Sequence, residues 1–144
     1  MTALIYIPIL VWAFGQGLKF LIKIIKRNRF DLQDFFDYGG MPSTHSAMVA
    51  SLSTLTALEL GVRSPIFAIT IIFSLFIIHD ALRLRNVLAD HSKIINQLRN
   101  TLPPEQRIKY PEVPERIGHK LPEVAVGLIL GIAMTLILNL WLVK

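Results

Sequence analysis

Residues 39–47 carry the side chains best suited to chemistry in this sequence, in the order Gly-Gly-Met-Pro-Ser-Thr-His-Ser-Ala. The glycines permit backbone conformations closed to other residues, and the proline suits the first position of a helix. Serine and threonine can satisfy the free N–H groups of a helix start, and those groups also attract anions such as phosphate. The histidine titrates near neutral pH and is a potential general acid. A helix cap alone would explain all of these features except the histidine; the candidates are Gly39, Gly40, Ser43, Thr44 and His45.

A second histidine lies in residues 118–123, which read Gly-His-Lys-Leu-Pro-Glu before an apolar run. On a helix, Glu123 would lie one turn from His119, so its carboxylate could accept a hydrogen bond from one ring nitrogen. That bond would fix the tautomer and leave the other nitrogen free to attack phosphorus. A helix start with a favourable acid in its first turn explains the same pattern equally well.

Basic residues supply the other candidates. Lys19 lies inside an apolar segment, where a charge is costly unless it is paired or lines a polar cavity. Lys23, four residues on, is expected to be solvated or to contact headgroups. At the end of another apolar segment, Asp80 can pair with Arg83 or Arg85, and the other arginine can bind phosphate oxygens. For Asp80, Arg83 and Arg85 taken separately, a salt bridge at the membrane edge with an arginine reaching to the surface is an equally good explanation.

The composition indicates a membrane protein. Of 144 residues, 53% are hydrophobic, and the mean hydropathy of +0.53 is too high for a soluble domain of this length. There is no cysteine, which excludes disulfides and thiolate metal sites. The apolar segments predict an all-α, integral membrane four-helix bundle in a single domain, 1–144, with transmembrane segments at about 3–22, 43–62, 64–88 and 121–143.

Charge predicts the orientation of this bundle. If all four segments cross the bilayer, 13 of the 15 lysine and arginine residues fall on one face. The positive-inside rule makes that face cytoplasmic, including a loop at about 89–120, in a multi-pass membrane protein. The same arrangement gathers the candidate residues of four distant segments at that face. The net charge of +5 is therefore assigned to membrane loops, with no nucleic-acid partner.

Three further patterns concern packing. The second segment is rich in serine and threonine, which indicates a helix packed on other helices. Residues 86–100 have the pattern of an amphipathic extension of the third helix. Gly127 and Gly131 form a small-residue face, which predicts close helix packing either within the bundle or between protomers of a homo-oligomer.

These motifs resemble the divergent branch of the type 2 phosphatidic acid phosphatases (PAP2), relatives of the vanadium haloperoxidases. The stretch 39–47 matches that branch nearly letter for letter. The first motif of the parent family is a lysine, six intervening residues and then Arg-Pro. Here six residues also separate Lys19 from the pair Lys26 and Arg27, so the proline is missing. The second motif, Pro-Ser-Gly-His, becomes Pro-Ser-Thr-His at 42–45.

The third motif of the parent family contains Ser-Arg, then a histidine, then an aspartate four positions later. His119 and Glu123 keep its second half, whereas Val113 stands where the arginine would be. We interpret the motif as split, with Arg83 or Arg85 supplying the guanidinium and the loop to His119 being an insertion. Arg85 matches the arginine of the divergent branch's Asp-Ala-x-Gly-Val-Arg pattern.

The resemblance implies a metal-independent membrane phosphatase, without a cofactor, that acts on a phospholipid or a polyprenyl phosphate or diphosphate. His119 would attack phosphorus to form a phosphohistidine, Glu123 would orient it, and His45 would protonate the leaving oxygen. Phosphate contacts would come from Lys19, Lys26, Ser43, Thr44 and Arg83 or Arg85, supported by Asp80, Gly39 and Gly40.

Two alternatives remain. A non-catalytic membrane module would bind or carry lipid phosphates without hydrolysing them. The incomplete motifs favour this alternative, as does the predicted cytoplasmic face, because family phosphatases usually work on the other side of the membrane. A metal site could instead form from His45, His79, Asp80 and His119, provided that His79 turns toward the same cavity.

Overall fold

The computed structural model describes residues 3–27 and 40–142, and all regular structure in these ranges is helical. The predicted all-α class is therefore confirmed. Four helices form a bundle, and the third of them continues through a π-helical turn into an amphipathic helix. The elements are α1 (Ala3–Arg27), α2 (Thr44–Leu60), α3 (Pro65–His79), the π turn (Asp80–Leu84), α4 (Arg85–Thr101), α5 (Pro104–Arg107) and α6 (Leu121–Leu142).

Helix α2 is the centre of the bundle and contacts α1, α3 and α6. Its N-terminus is capped by the Ser43 side chain. Gly61 directly follows its last residue, Leu60, and has a φ of 81°, which favours glycine. The hydrophobic core joins Ala47 and Leu55 of α2 to Ile7 and Val11 of α1.

Small polar side chains join α2 to its neighbours. The Thr135 hydroxyl donates to Ser51 Oγ at 2.6 Å, which connects α6 to α2. Ser53 and Ser74 bond through their hydroxyls at 2.9 Å, which connects α2 to α3. The interpretation of this serine- and threonine-rich segment as a helix packed on other helices is confirmed, because hydroxyls satisfied inside a bundle help to hold it together where water is absent.

Gly127 and Gly131 bring α6 against the backbone of α2. A Cβ at Gly127 would collide with the carbonyl of Ser43, and one at Gly131 would collide with the carbonyl of Ala47. Of the two alternatives for this small-residue face, the structure has packing within the bundle. The face is filled by the chain's own α2, so it is not the site of contact between protomers.

Three of the described helices are long and apolar enough to cross a membrane: Ala3–Lys26, Pro65–Thr101 and Leu121–Leu142. Helix α2, with 17 residues, is shorter and lies at the centre of the other three. The expected amphipathic extension over 86–100 is confirmed as α4. Helix therefore continues to Thr101, and the irregular connection is confined to residues 102–120, which we call the return loop.

The return loop is bound to α4 by side-chain contacts with its backbone. Asn96, which is buried, donates from Nδ2 to the Val113 carbonyl at 2.9 Å and accepts from the Val113 N–H at 3.1 Å. Arg99 donates to the Tyr110 carbonyl. These bonds satisfy loop backbone groups that would otherwise need water, and they direct the loop back along α4 toward the π turn.

Adding a methyl group at the α2–α6 contact should destabilise the bundle. We expect Gly127→Ala and Gly131→Ala each to lower the free energy of unfolding by roughly 1–3 kcal/mol, because the new Cβ meets backbone oxygen. Denaturation of the purified protein in detergent measures this change. Gly17→Ala is the matched control, since a Cβ there has open space, and it should be neutral or stabilising by up to about 1 kcal/mol. Equal effects at all three positions would contradict the close contact.

Candidate active site

His119 and Glu123 form a buried pair at the start of α6. His119 Nδ1 lies 2.9 Å from Glu123 Oε2, and the two residues are only 4% and 6% exposed. The same carboxylate oxygen accepts the Lys120 N–H at 3.2 Å, and Oε1 accepts from Arg116 at 3.2 Å. Glu123 is thus an acid in the first turn of the helix and also the hydrogen-bond partner that orients His119, so this geometry is compatible with both explanations of the motif, and the attack on phosphorus stays a prediction.

Burial lowers the pKa of His119 below the usual histidine value. The hydrogen bond and charge of Glu123 raise the pKa but do not overcome burial, and the positive charges of Lys19 and Arg85 lower it further. The imidazole is therefore neutral at neutral pH. A neutral ring that donates Nδ1–H to the carboxylate keeps a lone pair on Nε2, which is the form required of a nucleophile.

The π turn holds the backbone of His119. The His119 N–H donates to the Ala81 carbonyl at 3.1 Å, and Asn86 Nδ2 donates to the His119 carbonyl at 3.1 Å. Gly118 lies so close to Asn86 that a Cβ would overlap its side chain. Sequence reasoning missed Asn86; the signal that could have pointed to a close approach is the glycine directly before His119.

The π turn also selects between the two arginines. Arg85 Nε lies 2.8 Å from Asp80 Oδ2, and the Arg85 N–H bonds to the Asp80 carbonyl with the five-residue spacing of a π-helix. Because of this spacing, the arginine that faces Asp80 is Arg85, five residues after it, and not Arg83, three residues after it. Arg83 is exposed, whereas Arg85 pairs with Asp80 and its charge acts on both His45 and His119.

Helix α1 brings Lys19 to the same end of the bundle. Lys19 continues the buried stripe of Ile7, Val11 and Gly15 at four-residue spacing, and it is 6% exposed. Its Cε would lie 3.6 Å from a Cβ at Gly40. Its stem therefore packs against the turn before α2.

The two histidines lie within electrostatic range of each other. Lys19 and Arg85 act on both His45 and His119. His45 projects from the first turn of α2 and is exposed, whereas His119 is buried. We call these four side chains the cationic cluster, because Lys19 and Arg85 supply its positive charge while the imidazole of His119 is neutral. Two cations beside two histidines at one end of the bundle suit an anionic group between them.

Ser43 and Thr44 serve the structure of this end of α2. Ser43 is fully buried, its Oγ lies 2.9 Å from Ser46 Oγ, and it accepts the Ser46 N–H at 3.4 Å as the helix cap. Its own N–H donates to the Glu123 carbonyl at 3.0 Å. Thr44 packs its methyl group against Gly15. The hydroxyl of Ser43 is thus engaged in the helix cap.

Other predicted residues lie away from this cluster or outside the described residues. Lys26 is exposed, two turns of α1 beyond Lys19, and Gly39 lies outside the described residues. His79 is exposed, and the described residues contain no group of three or more histidine, aspartate or glutamate side chains that could hold a metal ion. The metal alternative required His79 in the cavity, so it has no support in this part of the chain.

Comparison with known proteins identifies the family. Residues 2–134 match the family model described as the divergent PAP2 family. The chain belongs to the divergent PAP2 family. It is also 32% identical over 136 residues to the uncharacterized membrane protein YuiD of Bacillus subtilis (strain 168), covering 87% of this chain and 86% of that protein. No solved structure matches this divergent PAP2 protein.

The burial of His119 should make the stability of this divergent PAP2 protein depend on pH. Its pKa is lower folded than unfolded, where histidine has a pKa of about 6.5. The neutral folded form is therefore fully stabilising above about pH 6.5, and this contribution is lost as the pH falls toward the folded pKa. Between pH 8 and pH 5, the free energy of unfolding should fall more in wild type than in His119→Asn. The exposed His79→Asn should behave as wild type, and a parallel loss in all three proteins would contradict the assignment.

Proposed function

We propose that this protein is a membrane lipid phosphate phosphatase that works without a metal ion, through a phosphohistidine. The observation that carries the proposal is the buried His119–Glu123 pair, which lies within range of two cations and a second histidine. Membership of the divergent PAP2 family supports a phosphatase-like role. A nucleophile oriented by a carboxylate beside positive charge is the arrangement that phosphoryl transfer requires.

In the proposed mechanism, Lys19 and Arg85 bind the phosphoryl oxygens and stabilise the charge that develops on them. His119 Nε2 attacks phosphorus, and the bond between phosphorus and the lipid oxygen breaks. His45 donates a proton to that leaving oxygen, so the lipid departs as an alcohol. Water then attacks the phosphohistidine and gives a proton to His45, which now acts as the base and recovers the proton that it had donated. The bond between phosphorus and Nε2 breaks, phosphate leaves, and His119 returns to the neutral imidazole, while Glu123 holds the ring in one tautomer throughout.

The substrate class and the orientation belong to the proposal as well. A phospholipid or a polyprenyl phosphate or diphosphate fits a polar cluster at the end of a bundle whose outer surfaces are apolar. The excess of lysine and arginine in the segments that connect the helices at this end supports a cytoplasmic site. The similarity to a membrane protein of Bacillus subtilis supports a bacterial inner membrane. A terminal reporter accessible only from the cytoplasm would contradict that orientation.

A second candidate is a non-catalytic module that binds or carries lipid phosphates. The observation in its favour is the position of Ser43. The family resemblance assigns this serine to the phosphate, yet its hydroxyl is buried in the helix cap and its N–H bonds to Glu123. In this candidate, the cationic cluster would bind phosphate without bond cleavage.

Phosphate release separates the two candidates. Purified protein, with a chelator present, should release phosphate from at least one member of a panel of lipid phosphates and diphosphates. His119→Ala and His45→Ala should lower the rate at least about a hundredfold, in line with the loss of a nucleophile or a general acid, while His79→Ala should retain it. Activity that survives His119→Ala would exclude the phosphohistidine. Binding without turnover on every substrate would favour the non-catalytic module.

The arginine at the π turn should control phosphate recognition. We expect Arg85→Lys to raise KM or lower kcat/KM about tenfold or more, because lysine cannot reproduce the planar fork that binds both Asp80 and phosphate. Arg83→Lys should change kcat/KM by less than about twofold, since Arg83 is exposed. Steady-state kinetics on the best substrate of the panel measures both, and a larger loss at Arg83 would overturn the assignment.

A further inference from the structure

Helix α4 carries an apolar face with the spacing of a coiled coil. Leu84, Leu88, His91, Ile95 and Leu98 follow one another at intervals of four, three, four and three residues. The four aliphatic side chains are 57%, 46%, 52% and 63% exposed in chain order. Alternating intervals of this kind place side chains along one seam of a helix, the arrangement through which two helices pair.

Most of this face is left exposed within the described part of the chain, and only Leu88 at its edge lines a cavity with Pro114 and Ile117 of the return loop. The buried residues of α4 lie on an adjoining side of the helix, about a third of a turn from the seam: they are Ala89, Ser92 and Asn96, and Asn96 binds the return loop. Val87 and Ile94, which are 50% and 54% exposed, widen the apolar face. Six half-exposed aliphatic side chains amount to roughly 500 Å² of contiguous apolar surface, which on a protein in water marks an interaction site.

The helix is too long for this face to be covered by the hydrocarbon of the bilayer. Residues Pro65–Thr101 form one helix of 37 residues, about 55 Å long, against a hydrocarbon thickness of about 30 Å. Fitting it inside would require a tilt above roughly 55°, and transmembrane helices tilt by about 0–40°. Because α3 and the π turn already account for one crossing, α4 extends beyond the hydrocarbon.

The charges of α4 do not favour the headgroup region as its partner. A helix that lies on a membrane flanks its apolar face with lysine and arginine that bind anionic headgroups. Here the arginines of α4 bind other parts of the chain, Arg85 to Asp80 at 2.8 Å and Arg99 to the Tyr110 carbonyl. Lys93 pairs with Asp90 at 2.9 Å on the exposed surface, and it lies on the side of α4 opposite the seam, so it does not flank the apolar face.

We propose that this face binds the same face of α4 in a second copy of the chain, as a parallel pair. Copies inserted in a membrane share one orientation, so a two-fold axis along the membrane normal makes their α4 helices parallel and brings each seam residue against its own equivalent. Two such faces bury roughly 1,000 Å², the lower limit for a specific interface. The proposal is independent of the proposed phosphatase activity.

Single-cysteine cross-linking in native membranes tests this pairing, and the absence of cysteine from the chain removes all background. Leu88→Cys and Ile95→Cys should form covalent homodimers under mild oxidation at least about tenfold faster than Lys93→Cys and Gln97→Cys. These two controls lie outside the seam and are also exposed. A parallel arrangement brings both Leu88 and Ile95 to within disulfide distance of their own equivalents, whereas an antiparallel arrangement could do so only for a position at its centre.

Two further outcomes decide against the proposal. Equal cross-linking at seam and control positions would indicate random collision. A fluorophore attached at Ile95→Cys and quenched by brominated lipid would identify the bilayer as the partner. A third measurement does not depend on cysteine chemistry. Ile95→Lys should convert dimers to monomers, as measured by single-particle mass in detergent, while the helix content stays unchanged. Persistence of the dimer in that variant would also overturn the proposal.

Discussion

The close contact between α2 and α6 determines where both histidines lie. Gly127 and Gly131 let the backbone of α6 reach the carbonyls of Ser43 and Ala47, and the Ser43 N–H bonds to the carbonyl of Glu123. One residue, Glu123, thereby connects the start of α2 to the start of α6 through its backbone while its carboxylate orients His119. A shift of α6 by one turn would separate the pair from the turn that carries His45, so helix packing and site geometry are one constraint.

The second constraint is that a residue on a long connection must be held as firmly as one on a helix. The return loop is 19 residues long, a length at which irregular segments tend to have several conformations. Here Asn96 and Arg99 bind its backbone partway along, and Asn86 with the Ala81 carbonyl binds His119 at its end. Because these side chains satisfy backbone groups of the loop, they hold the loop in one conformation against α4.

Much of the fold follows from local pattern. Apolar runs long enough for a bilayer, a serine- and threonine-rich central segment and the amphipathic residues 86–100 each indicate a helix, and each is one. The pairing of Glu123 with His119 follows from helical spacing alone. The choice between Arg83 and Arg85 could not be made in this way, because it depends on a π turn that shifts the register by one residue. Asn86 was missed because its partner lies 33 positions away in the sequence.

By itself, the sequence determined the helical class, the membrane character and the family, since these depend on composition, on period and on one short motif. Tertiary structure decided which residues meet. It directed Ser43 and Thr44 into helix capping and packing, and it left Lys26 exposed two turns beyond Lys19. It also brought Lys19 and Arg85 within electrostatic range of His45 and His119. The physical reason is that the period of a helix specifies which side chains share one of its faces, but not which other helix packs against that face. Buried charges and close backbone contacts depend on every element packed around them.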